Sequence, residues 1–246
     1  MPTKILRRLA PLVALWAAAC SGTPGTRPLL HPLAPEQQEL LSARSIYDPL
    51  EPLNRGIYNF NKVADDYVLL PVVRAYRFVL PDFVEDRVTS FFNNLLEIRN
   101  GLNGALQLRA EATGTAIGRF MINSSLGVLG LFDVATPLGY LVHEEDFGQT
   151  LGRYGVGNGP YLVLPILGPS NLRDTAGLTT DALAQMNLPV AGTINEEVFF
   201  SPAVYALYIV DRRKIQPFRY WESGTPFEYE LVRFLYTRKR ELDILK

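Results

Sequence analysis

Past its first twenty residues the chain has no uninterrupted run of about 18 apolar residues, yet apolar side chains recur along it at helical spacing. That pairing argues against a membrane-spanning helix and leaves amphipathic or hairpin helices as the way for this polypeptide to touch lipid. Ile57, Phe60, Ala64, Tyr67 and Val68 follow the 3.6-residue period with Lys62, Asp65 and Asp66 opposite, and Pro71 should stop or kink the helix they form. Val88, Phe91, Phe92, Leu95, Ile98, Arg99 and Leu102 mark a second helix closing at Gly101 or Gly104. A third runs from about Leu106 to Asn123, with Ile117 and Phe120 on one face. Ser170 or Asn171 caps a helix carrying Leu172, Ala176, Thr179 and Leu183, and Ser201-Pro202 opens another. A last amphipathic helix spans roughly residues 227–242. The class read from these patterns is mainly α with long loops.

Each apolar stripe admits two readings, a face turned to a protein core or a face turned to lipid. Leu126–Val142 (apolar apart from Asp133) and Ala203–Val210 lean towards lipid, being apolar around most of their circumference. The second ends in Asp211-Arg212-Arg213-Lys214, cations that suit a helix C-terminus and anionic headgroups alike; a deeply buried helix accounts for the segment as well. Between the two, five glycines from Gly148 to Gly159 read as a glycine-rich loop, followed by a short extended segment at Tyr161–Leu164 and a turn. Gly114-x-x-x-Gly118 permits close helix contact.

Targeting shows at the start of the chain. Lys4, Arg7 and Arg8 precede an apolar core from Leu9 to Trp16, then Ala17-Ala18-Ala19 and Cys20. Residues 1–19 read as a signal peptide and Cys20 as the acylated residue of a lipoprotein, with Ser21 the residue that follows it. Residues 20–46, rich in Gly and Pro up to Pro35, read as a tether in which 36–46 form a short helix. Three acyl chains would hold the protein almost irreversibly, at roughly 0.8 kcal/mol per buried methylene. Cys20 is the only cysteine, so its acylation leaves no disulfide, thiolate nucleophile or cysteine metal site. Formal net charge is −1 before three signal cations are removed, which argues against nucleic acid as a partner. The two histidines are His31 and His143, and no hydrolase or metalloenzyme motif accompanies them. His143-Glu144-Glu145-Asp146 reads as a solvated acidic turn. Gly155-Val-Gly157-Asn-Gly159 lacks the lysine and spacing of a phosphate loop. Neither catalytic residues, a cofactor nor a metal is expected.

Three stretches then resemble one family. Asp48-Pro-Leu-Glu-Pro-Leu-Asn54-Arg55-Gly-Ile-Tyr58-Asn-Phe-Asn61 is similar to the opening motif of the MlaA (VacJ) lipoproteins, and Arg119 to Ala135 resembles their central motif. Glu145 to Tyr161, continuing through Leu164-Pro165 and Gly168-Pro169-Ser170 to Arg173-Asp174, resembles their most recognisable block. The resemblance covers about residues 47–240. It implies a lipid-transport domain over residues 47–242, a ring-like bundle of amphipathic helices in the inner leaflet of the outer membrane, bound to a trimeric porin. Stray phospholipid of the outer leaflet would pass through a central amphipathic channel to a soluble periplasmic carrier, which preserves lipid asymmetry. Arg119, Asn123 and Asp133 are then candidates to line the channel or to hold the ring. Asn54, Arg55, Tyr58 and Asn61 would lock the first helix to its neighbours. Gly148, Gly152, Tyr154, Gly155, Gly157, Gly159, Arg173 and Asp174 are candidate motif or hinge residues, the glycines forming a flexible wall. The longer acidic tail of some relatives has no counterpart after Lys239. The competing reading is a periplasm-facing scaffolding lipoprotein with a soluble helical core.

Overall fold

A computed structural model describes residues 46–187, 202–222 and 224–246, all within one compact unit, Ser42–Lys246. Cys20, the tether and Ser201 lie outside the described residues. No described helix is long and apolar enough to cross a membrane.

Helix α1 (Glu51–Ala64) begins with Pro52, whose fixed φ suits a first turn. It continues without a break through a π-helical turn (Asp65–Leu69) into α2 (Leu70–Val79). Of the stop or kink expected at Pro71, the stop does not occur. A proline mid-helix collides with the carbonyl four residues back, here Tyr67, and the wider π turn covers that residue, with Leu70 N–H bonded to Asp65 O. Leu80 is extended ahead of Pro81, which ends α2 and starts α3 (Asp82–Leu106).

Helix α3 packs along α4 (Ala110–Ser125). Gly104 lies so close to Thr113 that a Cβ would sit 3.0 Å from its Oγ1, and Gly101 faces Ala116. These α3 glycines make the close helix contact, whereas Gly114 faces open space and Gly118 lies under the Tyr140 ring. Leu126–Val142 is not a helix; apart from one 3₁₀ turn (Thr136–Leu138) it is irregular, with Val128, Leu129 and Gly130 in succession at positive φ. That left-handed turn costs the two branched residues strain and displays Leu126, Val128 and Leu129 outward.

The expected loop at 148–159 is also corrected. Phe147–Arg153 is a helix, α5, capped by Asp146, whose carboxylate accepts from Gln149 N–H at 2.8 Å. It closes on Gly155 at φ +87°, with Val156 N–H bonded to Leu151 O and Gly155 N–H to Gly152 O. Strands β1 (Tyr161–Leu164) and β2 (Gly168–Asn171) form an antiparallel hairpin pairing Tyr161 with Asn171. Of the two candidate caps for α6 (Leu172–Asn187), Asn171 serves, accepting from Asp174 N–H at 2.8 Å. Helices α7 (Pro202–Ile215) and α8 (Glu228–Leu245) complete the described chain. Packing contacts close a circuit: α1 on β1, β2 on α8, α8 on α5, α5 on α3, α3 on α7, and α7 back on α2.

The distribution of polarity is the reverse of a soluble domain's. Buried apolar side chains are few, chiefly a ring cluster of Tyr58, Tyr161 and Tyr229 around Val163, and buried polar and charged side chains outnumber them. Large apolar side chains point out: Phe78 is 90% exposed, Leu108 86% and Tyr67 77%. Along α3 the buried positions include Glu97, Asn100 and Asn103, while Leu102 and Leu106 are exposed. A water-soluble core would bury the opposite face. The fold is mainly α, as the sequence patterns indicate, but the interior is polar.

Candidate functional site

Among the described residues four polar clusters and an amphipathic cavity stand out in the interior. In the first, Asn54 and Asn61 stand two turns apart on one face of α1 and grip the free edge of β1. Asn54 Nδ2 donates to Tyr161 O at 3.0 Å while its Oδ1 accepts from Val163 N–H at 2.9 Å. Asn61 repeats the pattern on Leu164 O (2.9 Å) and Ile166 N–H (2.7 Å). The two amides thus act as a third strand, satisfying a buried edge that would otherwise lose its partners. Between them Tyr58 donates to Glu228 at 2.8 Å, and Arg55 bridges Glu51 and Glu230 with its guanidinium over the Tyr229 ring.

Arg119 is the hub of the second cluster and is 1% exposed. It donates to Glu97 (2.5 Å), Thr136 Oγ1 (2.8 Å), Tyr140 O (2.5 Å) and Asp133 (3.2 Å). Asn123 donates to Asp133 at 3.2 Å and accepts from Val134 and Ala135 N–H at 2.9 Å each. Arg119, Asn123 and Asp133 therefore meet, and together they tie the irregular 126–142 segment to α3 and α4. Burial raises the Asp133 carboxyl, but bonds from Thr136 and Arg119 outweigh it and hold it below its ordinary value.

The third cluster explains the glycine block. Arg240 of α8 makes paired bonds to Asp146 (2.7 and 2.8 Å) and bonds to Asp174 (2.8 and 3.1 Å). Asp174 also accepts from Arg173 (2.8 and 2.9 Å), Asn171 (2.7 Å) and Tyr236 (2.8 Å). Burial raises both carboxyls, and the Arg240 bonds more than offset it, so both lie below the usual carboxylate range. Gly148 fits beneath this pair: a Cβ there would be 2.6 Å from Asp174 Oδ1 and 2.9 Å from Arg240 Nη2. Gly152 admits Ile244 and Arg173 in the same way, and Gly177 brings α6 onto the backbone of Gly148. Gly148 and Gly152 are close-packing positions in a helix, not hinges in a loop. Gly155 and Gly159 (φ +67°) are the glycines that supply left-handed backbone, and Gly157 lies in open space. Tyr154 donates to Leu106 O at 2.7 Å with its ring exposed. Nearby, Asp181 accepts from Asn103 (2.9 Å) and Phe147 N–H (3.0 Å), and its burial keeps it above the ordinary value.

The fourth cluster accounts for the three cations ending α7. Arg213 makes paired bonds to Asp65 (2.5 and 2.7 Å), Arg212 bonds Asp211 (2.8 Å) and Asn93 (3.0 Å), and Lys214 lies 3.5 Å from both Glu85 and Asp211. These charges clamp α7 to α3 and to the π turn, so they are engaged within the protein instead of being presented to headgroups. Beside them an amphipathic cavity of about 650 Å³ opens between the π turn, the β hairpin, α7 and α8. Its wall is mainly apolar and aromatic (Tyr205, Tyr208, Ile209, Val232, Leu235), edged by Arg212, Arg213 and Lys239. A cavity of this size and mixture has room for an apolar chain beside charged groups.

Several members of these clusters were not among the sequence candidates: Arg240, Glu97, Asn103 and Asp48, which accepts from Arg233 (2.9 Å) and Tyr229 (2.6 Å). A usable signal existed. Glu97, Asn100, Asn103 and Gln107 follow helical spacing as closely as the apolar stripe on the other side of α3.

A family model described as MlaA lipoprotein matches residues 46–243. The chain is 36% identical over 201 residues to an uncharacterized protein of Rickettsia typhi, covering 81% of this chain and 78% of that one. It is 40% identical over 138 residues, 54% of this chain and 55% of the relative, to the intermembrane phospholipid transport system lipoprotein MlaA of Escherichia coli (strain K12). A solved structure described as the structural basis for maintenance of bacterial outer membrane lipid asymmetry superposes with a TM-score of 0.65 at 29% identity. That likeness covers 80% of this chain and 98% of the solved one. On its matched length, its fold and its motifs, the chain belongs to the MlaA lipoprotein family.

Proposed function

We propose that this chain is an outer-membrane lipoprotein that returns mislocalised phospholipid from the outer leaflet, held by acylated Cys20 and embedded in the periplasmic leaflet. Lipid passes through an amphipathic channel beside a trimeric porin and is handed to a soluble periplasmic carrier, with no covalent chemistry. The observation that carries the reading is the reversed polarity: apolar side chains outward, charged and amide groups inward. In water the outward surface is costly, since each large apolar side chain taken out of water gains roughly 1.5–3 kcal/mol. In a leaflet it is the stable arrangement, because polar groups at lipid depth need protein or a wet passage around them. The amphipathic cavity beside α7 and α8 supports this reading of a passage. The scaffolding alternative needs these stripes turned inward, and the exposed residues of α2 and α3 count against it. The transport direction, the porin and the carrier are part of the proposal and are carried over by analogy with the family.

Deleting the gene should raise phospholipid on the cell surface, read by labelling or enzymatic modification of outer-leaflet lipid in intact cells. An unchanged surface would count heavily against the proposal. A Cys20→Ala form lacking residues 1–19 should still need detergent, since the acyl anchor is not what makes the surface greasy. Its full solubility in buffer alone would remove the embedded arrangement.

A further inference from the structure

The charges around the cavity do not balance. Arg213 is neutralised by Asp65 and Arg212 by Asp211, each through bonds of 2.8 Å or less. Lys239 of α8 edges the same cavity, is exposed, and makes no hydrogen bond or ion pair among the described residues. The cavity is thus an apolar, tyrosine-bearing wall with one uncompensated ammonium at its edge. Lysine suits this position because its flexible stem lies along apolar surface while the charge reaches outward.

We propose that Lys239 makes this cavity select anionic phospholipid over zwitterionic phospholipid. The inference rests on the lipid-transport reading and adds the headgroup class. An anionic glycerol headgroup brings its phosphate alone, and the ammonium of Lys239 meets a net negative charge. An ethanolamine headgroup brings an ammonium of its own, which cancels that charge and repels Lys239. The apolar wall holds the acyl portion of either lipid equally, so it contributes affinity but no discrimination. One lysine near an anionic headgroup corresponds to about a five-fold preference.

The test uses the full chain, purified from membranes in detergent and equilibrated with mixed micelles of equal phosphatidylglycerol and phosphatidylethanolamine. Bound lipid is extracted and its two headgroups are quantified by mass spectrometry. The wild type should return phosphatidylglycerol enriched about five-fold over the supplied ratio. Lys239→Met should return the supplied ratio, Lys239→Arg should keep the enrichment, and Lys239→Glu should favour phosphatidylethanolamine. A merely structural lysine would not produce that reversal. The same ratio from wild type, Lys239→Met and Lys239→Glu overturns the inference and leaves lipid transport standing. Absence of any bound lipid from the wild type overturns the transport reading instead.

Discussion

Arg240→Met should destabilise the protein by about 3 kcal/mol at neutral pH. Among the described residues Arg240 is the only side-chain cation bonded to Asp146 and one of two bonded to Asp174, so its removal leaves a partly buried Asp146 carboxylate that burial alone pushes towards the neutral form. The pH dependence gives the cause. In the wild type both carboxyls are held below their unfolded values near 3.9, so their contribution is present above that pH and is lost as pH falls through the lower folded values. In the variant the burial that raises Asp146 loses its largest offset, so its carboxyl titrates higher than in the wild type and protonation on acidification relieves part of the penalty. Denaturation midpoints in detergent should therefore differ most near pH 7 and converge on acidification. A gap that stays constant across that range would rule out the ion-pair account.

The glycines offer a sharper test, since residues of one kind sit in different surroundings within 30 positions. Gly177→Ala should cost about 3 kcal/mol, because the new Cβ would stand 2.3 Å from the backbone N of Gly148 and 2.7 Å from its Cα, so a helix must move. Gly155→Ala meets no atom but must hold φ near +87°, which costs roughly 1–2 kcal/mol. Gly157→Ala has neither problem and should fall within about 0.5 kcal/mol of the wild type. Thermal midpoints of the three variants give the ranking. Equal losses at Gly177 and Gly157 would show that the α5–α6 crossing is not as tight as the geometry implies.

Most of the helices are legible in the sequence. The stripe at Ile57 to Val68, the α3 pattern and the final helix each repeat an apolar residue at a period only an α-helix can use, and Asn171 and Pro202 mark starts by local chemistry. Misread segments share a cause. The glycines at 148 and 152 punctuate the sequence like a loop, but in α5 they are places where a side chain would not fit under Asp174, Arg240 and Ile244. Pro71 reads as a stop or a kink, and the π turn just before it absorbs the clash so that the helix does not stop. The cations after Asp211 suit headgroups, a helix C-terminus or a buried helix equally by sequence, because their partners Asp65, Glu85 and Asn93 lie well over a hundred residues away.

Periodicity, caps and motifs thus mark most of the helical segments, α5 excepted, and the family resemblance, because those signals are local and need only neighbours along the chain. They left open which way a stripe faces, since an apolar face has the same spacing whether it meets a core or an acyl chain. That choice was made by what packs on the opposite face: Glu97, Asn100 and Asn103 find Arg119, Glu145 and Asp181 from other elements. Buried charge is tolerated only when such partners converge. Convergence across tens of residues is a property of the folded chain, so the polar interior, and with it the outward apolar surface, was decided in three dimensions.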